Sequence, residues 1–298
     1  MKITLRQLEI FSAVASHGQV TRAAQAVAMT QAAASMALAD LESQLGSLLF
    51  DRTGRQLLLN DTGRLLLGRA REVIERVREI ETLAQGQDPV FDLKLGASVT
   101  IGNHLLPTLI ASLRLRYPHS QVHIARLNSE HVLDELRAHR IDLGFIEGPA
   151  TRDDLLRLPW REDHLTLFAA PGHPLSGREL TATDLASCDW ITREPGSGTR
   201  EVMNRACAAA GFTPHIAFEL EQPEAIRQCV KAGLGIGCLS TLELEDALRA
   251  GSLIALDAPW LDMRRSLDIV IHRRKFISQG LRAVFEACGV AAPAASAG

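Results

Sequence analysis

Apolar residues recur at three- and four-residue intervals through the first 85 positions, and from about residue 91 they contract into short continuous runs separated by further helical stretches. The first periodic segment, residues 4–16, places Leu5, Leu8, Ile10, Phe11 and Val14 on one face of a helix that His17-Gly18 ends. Two shorter helices are predicted over residues 21–27 and 31–45, separated by Ala28, Met29 and Thr30, with Thr30 suited to the N-cap of the second. On that second helix Ala34, Leu38, Leu41 and Leu45 form a buried stripe, while Thr30, Gln31, Ser35 and Met36 fall opposite it near the N-terminus. Leu48, Leu49 and Phe50 follow, then a turn at Thr53-Gly54-Arg55 and an apolar run over 57–59, which reads as a β wing with Arg52 and Arg55 at its tip. A helix-turn-helix of this spacing carries the start of its second helix into the major groove of DNA. There Gln and Ser can bond base edges or phosphates, and Met and Ala can meet a thymine methyl. Arg22, on the first helix of the pair, completes the DNA-facing set. Read alone, the stretch fits an amphipathic hairpin of an all-helical domain equally well.

After the wing, Asn60 or Asp61 can cap a long helix over residues 62–85, closed by Gly86 and then Pro89. Within it Leu66, Ala70, Val73, Val77, Ile80 and Ala84 follow the alternating four- and three-residue steps of a coiled-coil seam. A helix of about 24 residues makes a rod of about 36 Å. With Glu72, Glu75, Arg76, Arg78 and Glu79 on its other faces, the rod cannot bury this seam by itself. A second copy of the chain, as a dimer or a tetramer, is the expected partner, and packing on the downstream domain is the alternative.

From Phe91 onward strands and helices alternate: strands at 93–97, 122–127 and 143–146 with helices between them, then a second round at 165–169, 190–192, 216–220 and 236–240, and a returning strand at 267–272 before a closing helix at 278–288. This is the grammar of an α/β parallel sheet. It implies two lobes and a cleft, with the chain crossing between lobes near Glu162 and again near Met263. The division is a head over 1–60, a linker helix over 61–87 and an α/β module over 88–298, with lobe 1 at about 88–162 and 264–298 and lobe 2 at about 163–263. The small-residue tail 291–298 is expected to be disordered.

Charge narrows the reading. The whole chain carries a formal net charge of -3, and residues 1–60 hold five Lys and Arg against four Asp and Glu, so DNA affinity rests on local placement and a single head should bind weakly. Five cysteines without a C-x-x-C argue against a disulfide framework or a zinc site. The opening MKITLRQLEIF lacks the apolar run of a signal peptide, and no stretch reaches membrane-spanning length, so a cytoplasmic location without membrane contact is expected.

RQLEIFSAV, RAAQAVAMTQAAAS, LADLESQLGSLLFDR and the following Gly63-Arg64 together resemble the N-terminal signature of LysR-type transcriptional regulators. The resemblance implies an N-terminal winged helix-turn-helix, all-α with a β wing, a long linker helix, and a bilobed α/β effector domain similar to periplasmic solute-binding proteins. Promoter double-stranded DNA is the implied partner, with RNA polymerase a further candidate. Two departures bear on base preference: Ala32 stands where the family commonly carries proline, and no Lys or Arg lies between Gln31 and Leu45 to make the common bidentate contact with guanine.

In such a module ligands sit beyond the carboxyl ends of the strands. Ser98-Val99-Thr100-Ile101-Gly102 follows a strand and opens a helix in lobe 1, and the segment from Arg193 through Ser197 to Thr199 does the same in lobe 2 with a guanidinium added. Hydroxyls and unpaired backbone N–H groups at both points suit a small anion, although Ser98, Thr100 and Thr199 equally suit plain helix caps. Glu147, at a strand end, and Glu194 are expected to orient an arginine or, protonated, to donate to the guest. No nucleophile–base pair, metal cluster, cofactor motif or G-x-S-x-G elbow accompanies them, which disfavours an enzyme, and the missing signal peptide disfavours a transport solute-binding protein. ITLRQLE, ASVTIGNHLLP, IDLGFIEGP, REPGSGTRE and EAIRQCVKAGLGIGCLS resemble, within the family, the YeiE/CysL-like subgroup tied to sulfite and sulfur metabolism. That implies a sulfur oxyanion as effector, with a small carboxylate as the alternative.

Overall fold

The computed structural model describes residues 2–54, 56–85 and 88–293. Arg55, Gly86 and the end of the tail from residue 294, all named above, lie outside the described residues. The head is built by α1 (Leu5–His17), α2 (Val20–Ala26), α3 (Gln31–Leu45) and the hairpin β1 (Phe50–Thr53) and β2 (Gln56–Leu59). Thr4 and Gln7 cap α1 reciprocally, each side chain accepting from the other's backbone N–H, and Gly18 ends it in the left-handed region. Thr30 caps α3 through the Ala33 N–H at 3.2 Å. Ile10, Phe11, Val14, Ala34, Leu41 and Leu49 are buried together, each side chain contributing about 1.5 to 3 kcal/mol where it is large. Phe11 meets Phe50 edge-on at 5.7 Å between ring centroids, which ties the wing to α1.

The linker helix α4 (Asp61–Gln85) is capped by Asn60, whose Oδ1 accepts the Gly63 N–H at 2.8 Å. Gly63 is required there: a Cβ would stand 2.1 Å from the Leu49 carbonyl oxygen and push the helix off the wing. The seam read from the sequence needs one correction. Ala70, with Leu67, is buried in the head core, and Ile74 is buried one turn on. The stripe that stays open is Val73, Ile80 and Ala84, with Leu66 and Val77 half-buried. One apolar face of this helix is therefore packed on the head of its own chain, and the other stays exposed among the described residues.

The α/β module contains β3 (Asp92–Ser98), α5 (Val99–His104), α6 (Leu106–Arg116), β4 (Gln121–Leu127), α7 (Ser129–Arg137), β5 (Leu143–Glu147), β6 (Leu155–Ala169), α8 (Ala182–Ala186), β7 (Asp189–Arg193), α9 (Gly198–Ala209), β8 (His215–Leu220), α10 (Pro223–Lys231), β9 (Ile236–Ser240), α11 (Thr241–Arg249), β10 (Ile254–Ala255), β11 (Arg264–His272) and α12 (Gln279–Cys288). One sheet runs through both lobes in the order β4-β3-β5-β11-β6-β9-β7-β8, with β10 on β6. The pairings β3–β4, β3–β5, β7–β8 and β7–β9 are parallel, as expected, but β5–β11, β11–β6 and β6–β9 are antiparallel. The sheet is mixed because the chain crosses from lobe to lobe twice in opposite directions, in β6 and β11. β6 also begins ten residues before the apolar run 165–169. Its first part, LLRLPWREDH, carries polar residues between the lobes and so lacks the continuous apolar signal of a buried strand. The helical stretch between β3 and β4 is broken at Leu105, and Pro107 in the first turn of α6 has no N–H to continue α5. Apolar side chains cover both faces of each lobe's sheet, Phe145, Ile269 and Phe285 on one face of lobe 1 and Val132, Leu136 and Val270 on the other.

Head, linker and lobe 1 meet at Arg71. Its Nε donates to Ser12 Oγ at 3.2 Å and its Nη2 to Ser16 Oγ at 3.0 Å, both on α1, while Nη1 donates to the His139 carbonyl of lobe 1. Glu79 accepts the Gln279 N–H at 3.1 Å, and Arg76 lies over the Phe276 ring at 4.2 Å. Hydrogen bonds to a charged group contribute about 1.5 to 3 kcal/mol each, less the cost of burying the guanidinium. Arg71→Ala should therefore loosen the head by about 2 to 3 kcal/mol. Amide hydrogen exchange in α1 should accelerate while β7 and β9 keep their protection, and unchanged protection in α1 would remove Arg71 from this role.

Candidate functional site

The head presents one polar face. Thr30, Gln31, Ser35 and Met36 are exposed on the side of α3 opposite Ala34, Leu38 and Leu41, and Arg22 and Arg52 are exposed beside them on α2 and β1. The turn into α3 is fixed from outside: Arg6 Nη2 donates to the Val27 carbonyl at 2.5 Å, and Ala28 takes a left-handed conformation at φ 52°. The start of α3 is therefore exposed, with Thr30 engaged as its cap and Gln31 and Ser35 open to solvent. That face offers neutral donors and acceptors, with the positive charge of Arg22 and Arg52 on the neighbouring elements.

In the α/β module the turn before α9 packs across the lobes on the end of β5 and the start of α7. Gly198 at the start of α9 packs directly on the end of β5, where a Cβ would stand 2.0 Å from the Glu147 carbonyl oxygen. Gly148 returns the contact at φ +90°, where a Cβ would stand 2.7 Å from Gly198 Cα. Glu130 at the start of α7 donates its N–H to the Gly196 carbonyl at 3.2 Å, and Asn128 Nδ2 reaches the Pro195 carbonyl at 3.4 Å. A second cross-lobe contact joins α5 to α11, where His104 Nε2 meets the buried Glu243 at 2.9 Å. Its hydrogen bond to Glu243 raises the His104 pKa above the ordinary histidine value, against the effect of burial. This pair is therefore fully formed below pH about 6.5 and is lost as pH rises through the raised value. The cleft is closed.

Ser98, Thr100, Glu147, Arg193, Ser197 and Thr199 are all buried, and so is Ile101. Ser98 caps α5 through the Ile101 N–H at 3.4 Å and donates its hydroxyl to Glu147. Gly102 lies under Arg126, whose Cγ would be 3.3 Å from a Cβ there, and so turns away from this cluster. Arg193 is held bidentately by Glu194 at 2.8 and 3.0 Å, yet its Nη1 is buried without a partner. Ser197 stands at the N-cap of α9 without making the cap hydrogen bond, and its Oγ, like Thr192 Oγ1, has no partner. The plain-cap reading therefore describes Ser98 but not Thr199, which lies inside α9.

The residue that organises this cluster escaped the sequence reading. Arg265 on β11 is almost fully buried. It donates from Nε to Asp163 at 2.6 Å and from Nη1 to Thr199 Oγ1 at 2.9 Å, stands 3.7 Å from Glu147, and leaves Nη2 without a partner. Ser240 donates to the other oxygen of Asp163 at 2.8 Å. Its signal was a strand that begins three residues earlier than the apolar run 267–272, with arginines where solvent was expected. The cleft thus holds two guanidiniums, of Arg193 and Arg265, against three carboxylates, of Glu147, Asp163 and Glu194. Among the described residues no cluster of three metal-ligating side chains occurs, and no helix is long and apolar enough to cross a membrane.

Comparison with known proteins agrees with this architecture. The family described as "LysR substrate binding domain" matches residues 87–292, and "Bacterial regulatory helix-turn-helix protein, lysR family" matches residues 5–64. The chain is 42% identical over 97% of its length to the HTH-type transcriptional regulator YeiE of Escherichia coli, covering 98% of that protein. It is 30% identical over 88% of its length to the regulator CysL of Bacillus subtilis, covering 89% of it. Among solved structures, a full-length point variant of OxyR from Pseudomonas aeruginosa superposes with a TM-score of 0.77 over 97% of this chain and 95% of that one, at 23% identity.

The exposed face of α3 yields a direct test. Arg52→Ala should weaken binding to any duplex and lower the salt slope by about one, the loss of one phosphate contact. Gln31→Ala and Ser35→Ala should chiefly flatten sequence preference, at about 1 to 3 kcal/mol for a good base contact. A selection of bound sequences from random DNA reads both effects, and an unchanged profile in both α3 variants would take them out of base readout.

Proposed function

The chain belongs to the LysR family of bacterial transcriptional regulators, with a DNA-binding head and an effector-binding domain, and from that premise we propose that its interlobe cleft senses a small oxyanion. The observation that carries the proposal is the set of buried polar atoms without partners, Arg193 Nη1, Ser197 Oγ, Thr192 Oγ1 and Arg265 Nη2, on the turn from β7 to α9 and on the facing strand. Such atoms are rare in native proteins and each costs about 1 to 3 kcal/mol when left unpaired. An oxyanion that accepts from several of them removes that cost. The resemblance to the YeiE and CysL subgroup makes sulfite or another sulfur oxyanion the first candidate, and a small carboxylate is the alternative that the same donors would take.

Glu147 sets the terms of entry. Its carboxylate already accepts from Ser98 and faces Arg265, so it stands where an anion's charge would be most welcome. A guest oxyanion must share Arg265 with Glu147 or displace it, at a like-charge cost of up to about 4 kcal/mol at 4 Å near a protein surface. Sensing would then be an exchange: the guest takes the cationic site, Glu147 withdraws or takes a proton, and the lobes shift between two arrangements that bind the anion unequally. The head, docked on α4 and lobe 1, follows that shift while the chain, placed in the cytoplasm with promoter DNA, holds or releases its operator. RNA polymerase is a further proposed partner.

Calorimetry with sulfite, sulfate, thiosulfate, phosphate and small carboxylates should find a preferred anion, and a carboxylate at the head of the series selects the alternative effector. Glu147→Gln should then tighten that anion by about tenfold or more, and Thr199→Ala should weaken it by a similar factor while basal operator binding stays the same. Weaker binding in Glu147→Gln would show that the guest offers a donor to Glu147 and would overturn the anion reading.

The open stripe of α4 is proposed as the contact with a second copy. Val73→Glu with Val77→Glu places four charges on the seam of such a pair and should give monomers by sedimentation, with operator affinity lost because each head alone binds weakly. A double variant that still sediments as a dimer assigns the contact to another face.

A further inference from the structure

A cavity of about 910 Å³ lies beside the cleft, between α9, the start of α8, the Trp260 loop and the crossing strands β6 and β11. It shares Arg265 with the cleft, but none of Ser98, Thr100, Arg193, Ser197 or Thr199 lines it. Its walls divide by chemistry. Val202, Ala206 and Ala209 of α9 offer a flat apolar wall of small side chains, and Trp260 adds an indole that remains 39% exposed. That ring is held in place: Nε1 donates to the Leu180 carbonyl at 2.7 Å, and Phe212 meets it edge-on at 6.5 Å between centroids. An exposed aromatic ring fixed inside a concavity is a binding surface already paid for in conformational entropy.

Positive charge collects in the same cavity. Arg157, Arg205, Arg264 and Arg265 line it, against Glu179 and Asp262. Arg157 is fully engaged by Asp268 and by the carbonyls of Gly148 and Ala150, and Arg264 is paired with Asp262 at 2.9 Å. Arg205 is different: it makes no hydrogen bond or ion pair among the described residues. Arg265 adds the buried Nη2 that nothing in the chain satisfies.

We propose that this cavity is a second small-molecule site, separate from the cleft, which takes a flat ring bearing an anionic group, the ring against Trp260 and the alanine wall of α9 and the negative group on Arg205. The volume sits at the upper end of the range for small-molecule pockets, about 300 to 1,000 Å³, and is far too large for an inorganic ion alone. A two-ring aromatic acid and a mononucleotide both present this chemistry. Gly148 and Pro149 of lobe 1 line the cavity together with lobe 2, so an occupant that reaches them touches both lobes, and any effect of the cleft ligand on its binding is returned by the same factor.

The test uses the full-length protein, titrated separately with 2-naphthoate and with AMP, by calorimetry and by tryptophan fluorescence. At least one probe should saturate below about 1 mM. Arg205→Ala should weaken that binding about tenfold, and Ala209→Phe, which fills the apolar wall from an exposed position, should abolish it. Trp260→Phe should keep calorimetric binding and lose the fluorescence change, and Ser197→Ala in the cleft should leave both signals intact. Naphthoate alone names an aromatic acid, AMP alone a nucleotide, and either supports the site. Saturation by neither probe, a fluorescence change that survives Trp260→Phe, or weakening by Ser197→Ala in place of Arg205→Ala would overturn it.

Discussion

The structure turns on one buried guanidinium. Arg265 sits on a strand shared by both lobes, and its contacts come from elements that no single lobe contains: Glu147 at the end of β5, Thr199 at the start of α9 and Asp163 where β6 crosses. Burying an arginine costs several kcal/mol unless its donors are met, and removing a partner from such a network typically costs about 3 to 5 kcal/mol. The lobes are therefore held together by a group that demands anionic company. Whether that company is Glu147 or a guest is a matter of small differences between large terms, which is the condition under which a weak ligand can shift a conformation.

β11 carries this junction to the other end of the molecule. Beyond His272 the strand leads into the loop where Lys275 pairs with Asp142 at 2.7 Å, and Asp142 also accepts the Lys94 N–H at 2.9 Å. Phe276 underlies Arg76, and Gln279 donates to Glu79, both on the linker helix. His139, whose carbonyl receives Arg71, lies with its ring 5.0 Å from His272, the last residue of β11, and burial pushes its pKa down to about 4. The neutral His139 ring is thus part of the packing, and the junction loses stability as pH falls from about 6.5 toward that value. The strand that carries Arg265 is thus continuous with the loop and helix start that touch the linker helix.

Much of this was legible in the residues. The cap at Thr30, the stop at Gly46 and the stripe of Ala34, Leu38 and Leu41 are local signals, so α3 could be placed to the residue. The strand at 236–240 was as clear, because five buried residues in a row leave no ambiguity of face. What escaped was non-local. Arg265 and Asp163 are separated by 102 positions and pair only because β6 and β11 run antiparallel between the lobes, a register that no periodicity announces. Ala70 was misplaced for a related reason: the seam spacing is satisfied by residues facing inward and outward alike, and only the docking of α4 on α1 decides between them. At Ser98, Thr100 and Thr199 the sequence offered caps and donors as equal readings. The fold separates them: Ser98 caps α5 within lobe 1, while Thr199 accepts from Arg265 across the lobes.

In the regulation proposed above, the charge balance of the head gives geometry the larger part. Five cations against four anions in the first 60 residues, with Arg52 on β1 and none on the body of α3, imply little electrostatic affinity for a single head. Linking two weak heads makes the second contact intramolecular, with an effective concentration fixed by how well the span between heads matches the half-sites. In the dimer proposed through the stripe of Val73, Val77 and Ile80, that span depends on the angle of α4 to lobe 1, held at Arg71 and Gln279. A change of a few ångströms at those contacts then alters the second binding event by far more than it alters either head. Weak heads are what make a small movement of the lobes count.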